Sequence, residues 1–278
     1  MTDKETPASS NSDETARAQT TTEALEWHAP VMVRIDEHTT IPHLLKERVQ
    51  RGATRPLILR KVGIGDTWRS ISARDFYDEV QSVAAGLMAR GLEPGDRVAI
   101  MSRTRYEWTL LDFACWAAAL VPVPIYETSS IDQVAHVLVD ADVNLIVTET
   151  VSMAEIVRAA AERENRDNTH VLSLDSEAID TLIAEGATVP RDRVAARADK
   201  LTTDDIATIV YTSGTSGTTG TPKGTVLSHE NFTNLCVNAH VWMPEIAAHK
   251  NSRLLLFLPL AHVFARFLQV FQISGNGV

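Results

Sequence analysis

At 278 residues and 44% hydrophobic content, the chain has enough apolar material for one large domain or two small ones. Its formal net charge of −10 opposes binding to nucleic acid or to an anionic membrane surface by charge alone. Cys115 and Cys236 stand far apart in apolar or helical sequence, make no zinc site without other ligands, and read as reduced thiols of a cytoplasmic protein.

Residues 1–24 are rich in Thr, Ser, Asp and Glu with almost no large apolar side chains, and are expected to form a disordered polar tail. They lack the basic and apolar regions of a secretory signal, and no stretch of the chain reaches the roughly 18 uninterrupted apolar residues of a membrane span. From Trp27 onward, helical and extended patterns alternate. The spacing predicts a helix over Ala73–Arg90 with Phe76, Val80, Val83, Ala84, Leu87 and Met88 on one face, closed by Gly91. The Pro94-Gly95 turn then feeds a strand over Val98–Met101. A mostly apolar helix follows over Glu107–Ala119. The series continues with strand Val121–Ile125, helix Ile131–Ala141, strand Asn144–Thr148, helix Met153–Glu164, strand His170–Leu174 and a short helix over Glu177–Glu185. Such alternation predicts an α/β fold, a doubly wound sheet covered on both faces, over residues 25–190. Residues 186–203 read as a connection into a second α/β subdomain over 191–278, of which only the start is present. Trp108, Trp116 and Trp242 read as core aromatics.

Next comes Tyr211-Thr-Ser-Gly-Thr-Ser-Gly-Thr-Thr-Gly-Thr-Pro-Lys-Gly224, between the β-branched strand Ile206–Tyr211 and the extended run Thr225–Ser228. Glycines let successive backbone N–H groups turn toward one centre, the hydroxyls donate to phosphate oxygens, and Lys223 adds a mobile point charge. The loop reads as a phosphate cradle suited to a triphosphate, with Thr212, Ser213, Gly214, Thr215, Thr218, Thr219, Gly220, Thr221, Lys223 and Gly224 as its binding residues. A flexible linker fits less well, because linkers do not end in Pro-Lys-Gly between buried strands. A Walker loop fails on residue order, since here the lysine precedes the glycine and a strand follows. His229 and Glu230 after Ser228 read as the first turn of a capped helix.

These residues resemble the signature of the adenylate-forming superfamily: acyl-CoA synthetases, luciferases and peptide-synthetase adenylation domains, whose loop runs Tyr-Thr-Ser-Gly-Thr-Thr-Gly-x-Pro-Lys-Gly. Three further segments join it: Leu258-Pro-Leu-Ala-His-Val-Phe-Ala-Arg266, Gly91-Leu-Glu-Pro-Gly-Asp-Arg-Val-Ala-Ile-Met101, and the run from Asp112 to Ser130. All stand in the order seen in bacterial long-chain fatty-acid–CoA ligases. The resemblance runs from about Val31 to the last residue and corresponds to the first half or so of such an enzyme, an acetyl-CoA-synthetase-like N-terminal domain, here truncated. It implies ATP-dependent activation of a fatty acid and ligation to coenzyme A, with ATP, Mg²⁺ and coenzyme A as co-substrates or cofactors. A fatty substrate would bring the protein near membranes.

The resemblance makes Lys223 and His262 the catalytic candidates, with His262 and Arg266 as substrate-binding residues. A helix over Ala261–Gln272 would set His262, Arg266 and Gln269 on one face and Phe264, Phe267, Leu268 and Phe271 on the other. In similar enzymes the histidine borders the α-phosphate and the entrance to the acyl tunnel. Arg266 stands where some fatty-acid ligases carry an aromatic gate, so it either attracts a carboxylate to the tunnel mouth or pairs with an acid. Two departures from the family pattern stand out. An apparent Thr-Ser-Gly duplication lengthens the loop by three residues, and the chain stops in apolar, helix-like sequence, as a fragment or a truncated reading frame does. By resemblance, the adenine, ribose and magnesium contacts and the lid lysine lie beyond Val278, so this polypeptide is not expected to complete the reaction alone. An adenylation domain serving a carrier protein and a non-catalytic nucleotide-binding fragment are the competing readings.

Overall fold

The computed structural model describes residues 32–63, 67–166, 168–212, 222–247 and 252–275. The expected polar tail over 1–24 lies outside them.

Helix α1 (Ile41–Gly52) buries Ile41, Leu44, Leu45 and Val49, and leads into an antiparallel pair of strands, β1 (Pro56–Lys61) and β2 (Trp68–Ser72). Helix α2 (Ala73–Ala89) starts where the Ser72 hydroxyl accepts from the Asp75 N–H, and ends at Gly91, whose φ of 85° is left-handed. Its expected apolar face is buried throughout. Strand β3 (Arg97–Met101), helix α3 (Tyr106–Ala117), strand β4 (Val121–Ile125), helix α4 (Ile131–Asp140), strand β5 (Val143–Thr148), helix α5 (Val151–Arg163) and strand β6 (His170–Ser173) then alternate as expected.

The strands β3–β6 form one parallel sheet in the order β4-β3-β5-β6. The order reverses beside β3, which is what doubly wound means here. Successive residues of β3 serve opposite faces. Val98 and Ile100 join the core shared with α2 and α3, whereas Ala99 and Met101 join the core under α4 and α5. Strand β4 carries Pro122 and Pro124, which is possible because it is an edge strand.

Helices α6 (Ala178–Gly186) and α7 (Arg191–Ala198) pack on α2, and α7 also touches α3. Packing therefore crosses the expected break at 190/191. Arg197 on α7 seals the junction by donating to the Leu92 carbonyl at 2.7 Å. The α2–α6 contact is close enough that a Cβ on Gly86 would stand 2.0 Å from the Leu182 carbonyl oxygen.

Beyond this layer, β7 (Ile206–Thr212) and β8 (Lys223–Ser228) form an antiparallel pair of their own. Helix α8 (His229–Trp242) opens with a capping box between Ser228 and Asn231, as the expected capped start requires. A short α9 (Pro244–Ala247) and α10 (Val263–Ser274) complete the described elements. Trp108 and Trp116 are fully buried, whereas Trp242, expected in the core, is 49% exposed at the end of α8. Both cysteines are free and buried. No helix among the described residues is long and apolar enough to cross a membrane.

Candidate functional site

The residues expected to grip phosphate run in sequence from the end of β7 to the start of β8. Thr212 ends β7 in register with Lys223, the exposed first residue of β8, and Tyr211 is in register with Gly224. Ser213, Gly214, Thr215, Thr218, Thr219, Gly220 and Thr221 lie outside the described residues. Gly224 is needed for packing, because a Cβ there would meet Ile209 Cγ2 at 2.9 Å and the Tyr211 ring at 3.0 Å.

Helix α4 holds both feet of the loop. The Tyr211 hydroxyl donates to Asp140 Oδ2 at 2.6 Å, and His136 Nε2 donates to the Pro222 carbonyl at 2.7 Å. The His136 and Tyr211 rings meet edge to face at 5.8 Å. Burial, and then the hydrogen bond to Asp140, push the Tyr211 phenol well above its usual range. His136 and Asp140 lie one turn apart on α4. Their spacing places them on one helix face, but nothing in it names the loop as their target.

The hairpin rests against the proline-bearing edge of the parallel sheet. Because Pro122 and Pro124 have no N–H to offer, side chains make the junction instead of a ladder. The Thr208 hydroxyl donates to the Pro122 carbonyl at 2.7 Å, and Trp116 Nε1 donates to the Ala207 carbonyl at 2.7 Å.

The second motif is clamped twice. Thr104, just past the carboxyl end of β3, donates to the Leu258 carbonyl at 2.7 Å and accepts from the Leu260 N–H at 3.1 Å. His262 then caps α10, its Nδ1 accepting from the Phe264 N–H at 3.4 Å, with the side chain exposed at the helix N-terminus. One turn on, Arg266 is fully buried. Its Nε and Nη2 donate to the two oxygens of Asp112 at 3.0 and 2.5 Å, and its Nη1 donates to the Thr208 hydroxyl at 2.5 Å. Gln269 adds a donor to Asp112 at 3.0 Å, and the guanidinium lies within 6 Å of the Trp108, Trp116 and Phe232 rings. Burial raises the Asp112 carboxyl, and Arg266 opposes that rise.

Arg266 therefore takes the acid-pairing role, and the expectation that it meets a carboxylate at a tunnel mouth is corrected. With no exposed surface and both donor edges engaged, it has nothing left to offer a substrate. Asp112 carried a signal of its own: a carboxylate in the apolar middle of a helix needs a buried partner. Through Thr208, the pair joins α3, α10 and β7, and so connects the His262 segment with the β7–β8 hairpin.

The chain matches the AMP-binding enzyme family over residues 45–278. It belongs to that family. Among its relatives, the long-chain-fatty-acid–CoA ligase FadD15 of Mycobacterium bovis is 36% identical over 247 residues, covering 88% of this chain and 40% of the ligase. The fold is shared with VinN, at a TM-score of 0.69 and 16% identity over 86% of this chain and 57% of VinN. It is shared as well with a fatty acyl CoA synthetase of Mycobacterium tuberculosis, at a TM-score of 0.68 and 23% identity over 88% of this chain and 45% of that one. The chain thus spans about two-fifths of the length of the curated ligase it matches.

Proposed function

We propose that this AMP-binding chain grips the ATP phosphates in a ligase that activates a long-chain fatty acid as its acyl-adenylate and passes the acyl group to coenzyme A. The reading is carried by one observation: the phosphate hairpin and the Leu258–His262 segment are tied to each other through Thr208 and Arg266. In the first step a carboxylate oxygen attacks the α-phosphorus of ATP, and the bond to the bridging oxygen breaks to release pyrophosphate. In the second, the thiol of coenzyme A loses its proton and attacks the acyl carbon, and AMP leaves. The first step brings two anions together and so needs fixed positive charge and donors aimed at the phosphates.

Lys223, exposed at the foot of the loop, supplies charge to the β- and γ-phosphates and follows pyrophosphate as it departs. The loop's backbone N–H groups and hydroxyls supply donors. His262, held at the start of α10, borders the α-phosphate and the acyl entrance. Magnesium arrives with ATP, and no group of three potential ligands stands ready to hold it among the described residues. The fatty substrate would draw the protein to membrane surfaces.

The test is calorimetric titration of the chain with a non-hydrolysable ATP analogue. Lys223→Ala is expected to weaken binding about tenfold or more, as loss of a charge-assisted contact does; equal affinity would remove the lysine from the phosphate site. Because the chain spans two-fifths of its relative, turnover is asked of a full-length protein carrying it. Palmitate-dependent pyrophosphate exchange with palmitoyl-CoA formation supports the ligase. Exchange without thioester formation would favour an adenylation domain serving a carrier protein.

A further inference from the structure

A cavity of about 260 Å³ lies between α1, α2, α3 and α7, and none of the residues expected to handle ATP or the acyl chain lines it. Its floor is apolar, formed by Leu45, Val80 and Phe113, which are at most 2% exposed. Its rim carries Lys46 and Asp199, which pair at 2.8 Å, together with Tyr77. Between rim and floor lies Gln81, only 6% exposed on α2. Among the described residues the Gln81 carboxamide makes no hydrogen bond, and its polar atoms are left open to the cavity.

Each feature narrows what fits. The Lys46 charge is matched by Asp199, so the rim has no net charge with which to hold an ion. The apolar floor asks for a hydrophobic body. The volume equals about nine waters at their liquid share of about 30 Å³ each, which is room for a bicyclic ring but below the usual range for drug-sized ligands. A carboxamide places a donor beside an acceptor, and the edge that satisfies both at once is a cis-amide. We propose that this cavity binds a small, neutral, planar molecule with one lactam or primary-amide edge, and that Gln81 is the residue that reads that edge.

Carbostyril, a planar bicyclic lactam, is the probe, titrated into the whole chain and followed by ligand-observed NMR and calorimetry. Saturable binding is expected. N-methylcarbostyril, which keeps the ring and the carbonyl but loses the donor, is expected to bind about tenfold more weakly, the value of one hydrogen bond. Gln81→Leu should show a similar loss, and Ala198→Phe, which fills the cavity from the partly exposed α7 side, should abolish binding. Absence of saturable binding overturns the proposal, as does equal affinity for the two probes or unchanged affinity in Gln81→Leu. The comparison of the two probes uses the unaltered protein, so it decides the matter even where a variant fails to fold.

Discussion

In the layer around α2, the apolar stripe points inward: Phe76, Val80, Val83, Ala84 and Leu87 are all buried. Around α10 burial takes in the polar face as well. Arg266 and Gln269 are buried alongside Val270, Phe271 and Ile273, whereas Phe264 is 54% exposed, and nearby Leu255 and Phe257 are 71% and 75% exposed. Both helices are amphipathic, so amphipathicity alone does not decide which side faces in. What decides is the neighbour. Helix α2 meets an apolar sheet and the close-fitting α6, whereas α10 meets α3 where Asp112 sits. A buried polar face is tolerable only because every member of it is paired.

The sharpest way to break this comparison is Arg266→Ala, which leaves Asp112 buried and uncompensated. It should cost about 3–5 kcal/mol in urea unfolding, while Arg266→Met combined with Asp112→Leu should recover most of that. A small effect of the single change would mean that the ion pair does not hold α10 in place. Acid should strike the same region. His229, buried with its Nδ1 accepting from the Ile41 N–H, has its pKa lowered to about 4 by burial, against 6.5 for a free histidine. The unfolded chain therefore takes up the proton first. This contribution is complete above about pH 6.5 and is lost as pH falls through 4, a change of about 3 kcal/mol. Unfolding free energies across that window should flatten in His229→Gln.

On the α2 side the weak point is space, not charge. Gly86→Ala would drive a methyl into the Leu182 carbonyl and should lower stability by about 1–3 kcal/mol, readable as a drop in Tm. The smallest effect belongs to the exposed apolar residues. Phe257→Ser should change stability by no more than about 0.5 kcal/mol, and a larger loss would show that the ring is covered in solution.

The parallel sheet was legible because its strands and helices alternate with clear periods and because each helix has an apolar stripe. Helix α7 was not, since Val194 is its one buried residue and Arg, Asp and Ala fill the remainder, leaving no stripe to detect. The β1–β2 pair was missed as well, because its strands are short and largely exposed. In the site, the loop and the Leu-Pro-Leu-Ala-His segment announced themselves by composition and family resemblance. Their supports, Thr104, Asp112, His136 and Asp140, did not. Each acts on a residue at least 71 positions away, and a sequence shows which polar groups need partners without showing which ones they meet. Trp242 failed for the opposite reason: its size suggested a core that the end of α8 does not reach.

The attachment of the loop to α4 bears on how its length can drift over evolutionary time. Tyr211 and Pro222 are moored to the same helix one turn apart, and the pairing of Thr212 with Lys223 is set before the loop begins. Residues gained or lost between those moorings alter how far the loop reaches but leave Lys223 and Gly224 where they are. The Thr-Ser-Gly duplication falls inside that tolerant interval. Such a design separates two properties that selection can then adjust independently: where the Lys223 charge stands and how many residues lie between the moorings.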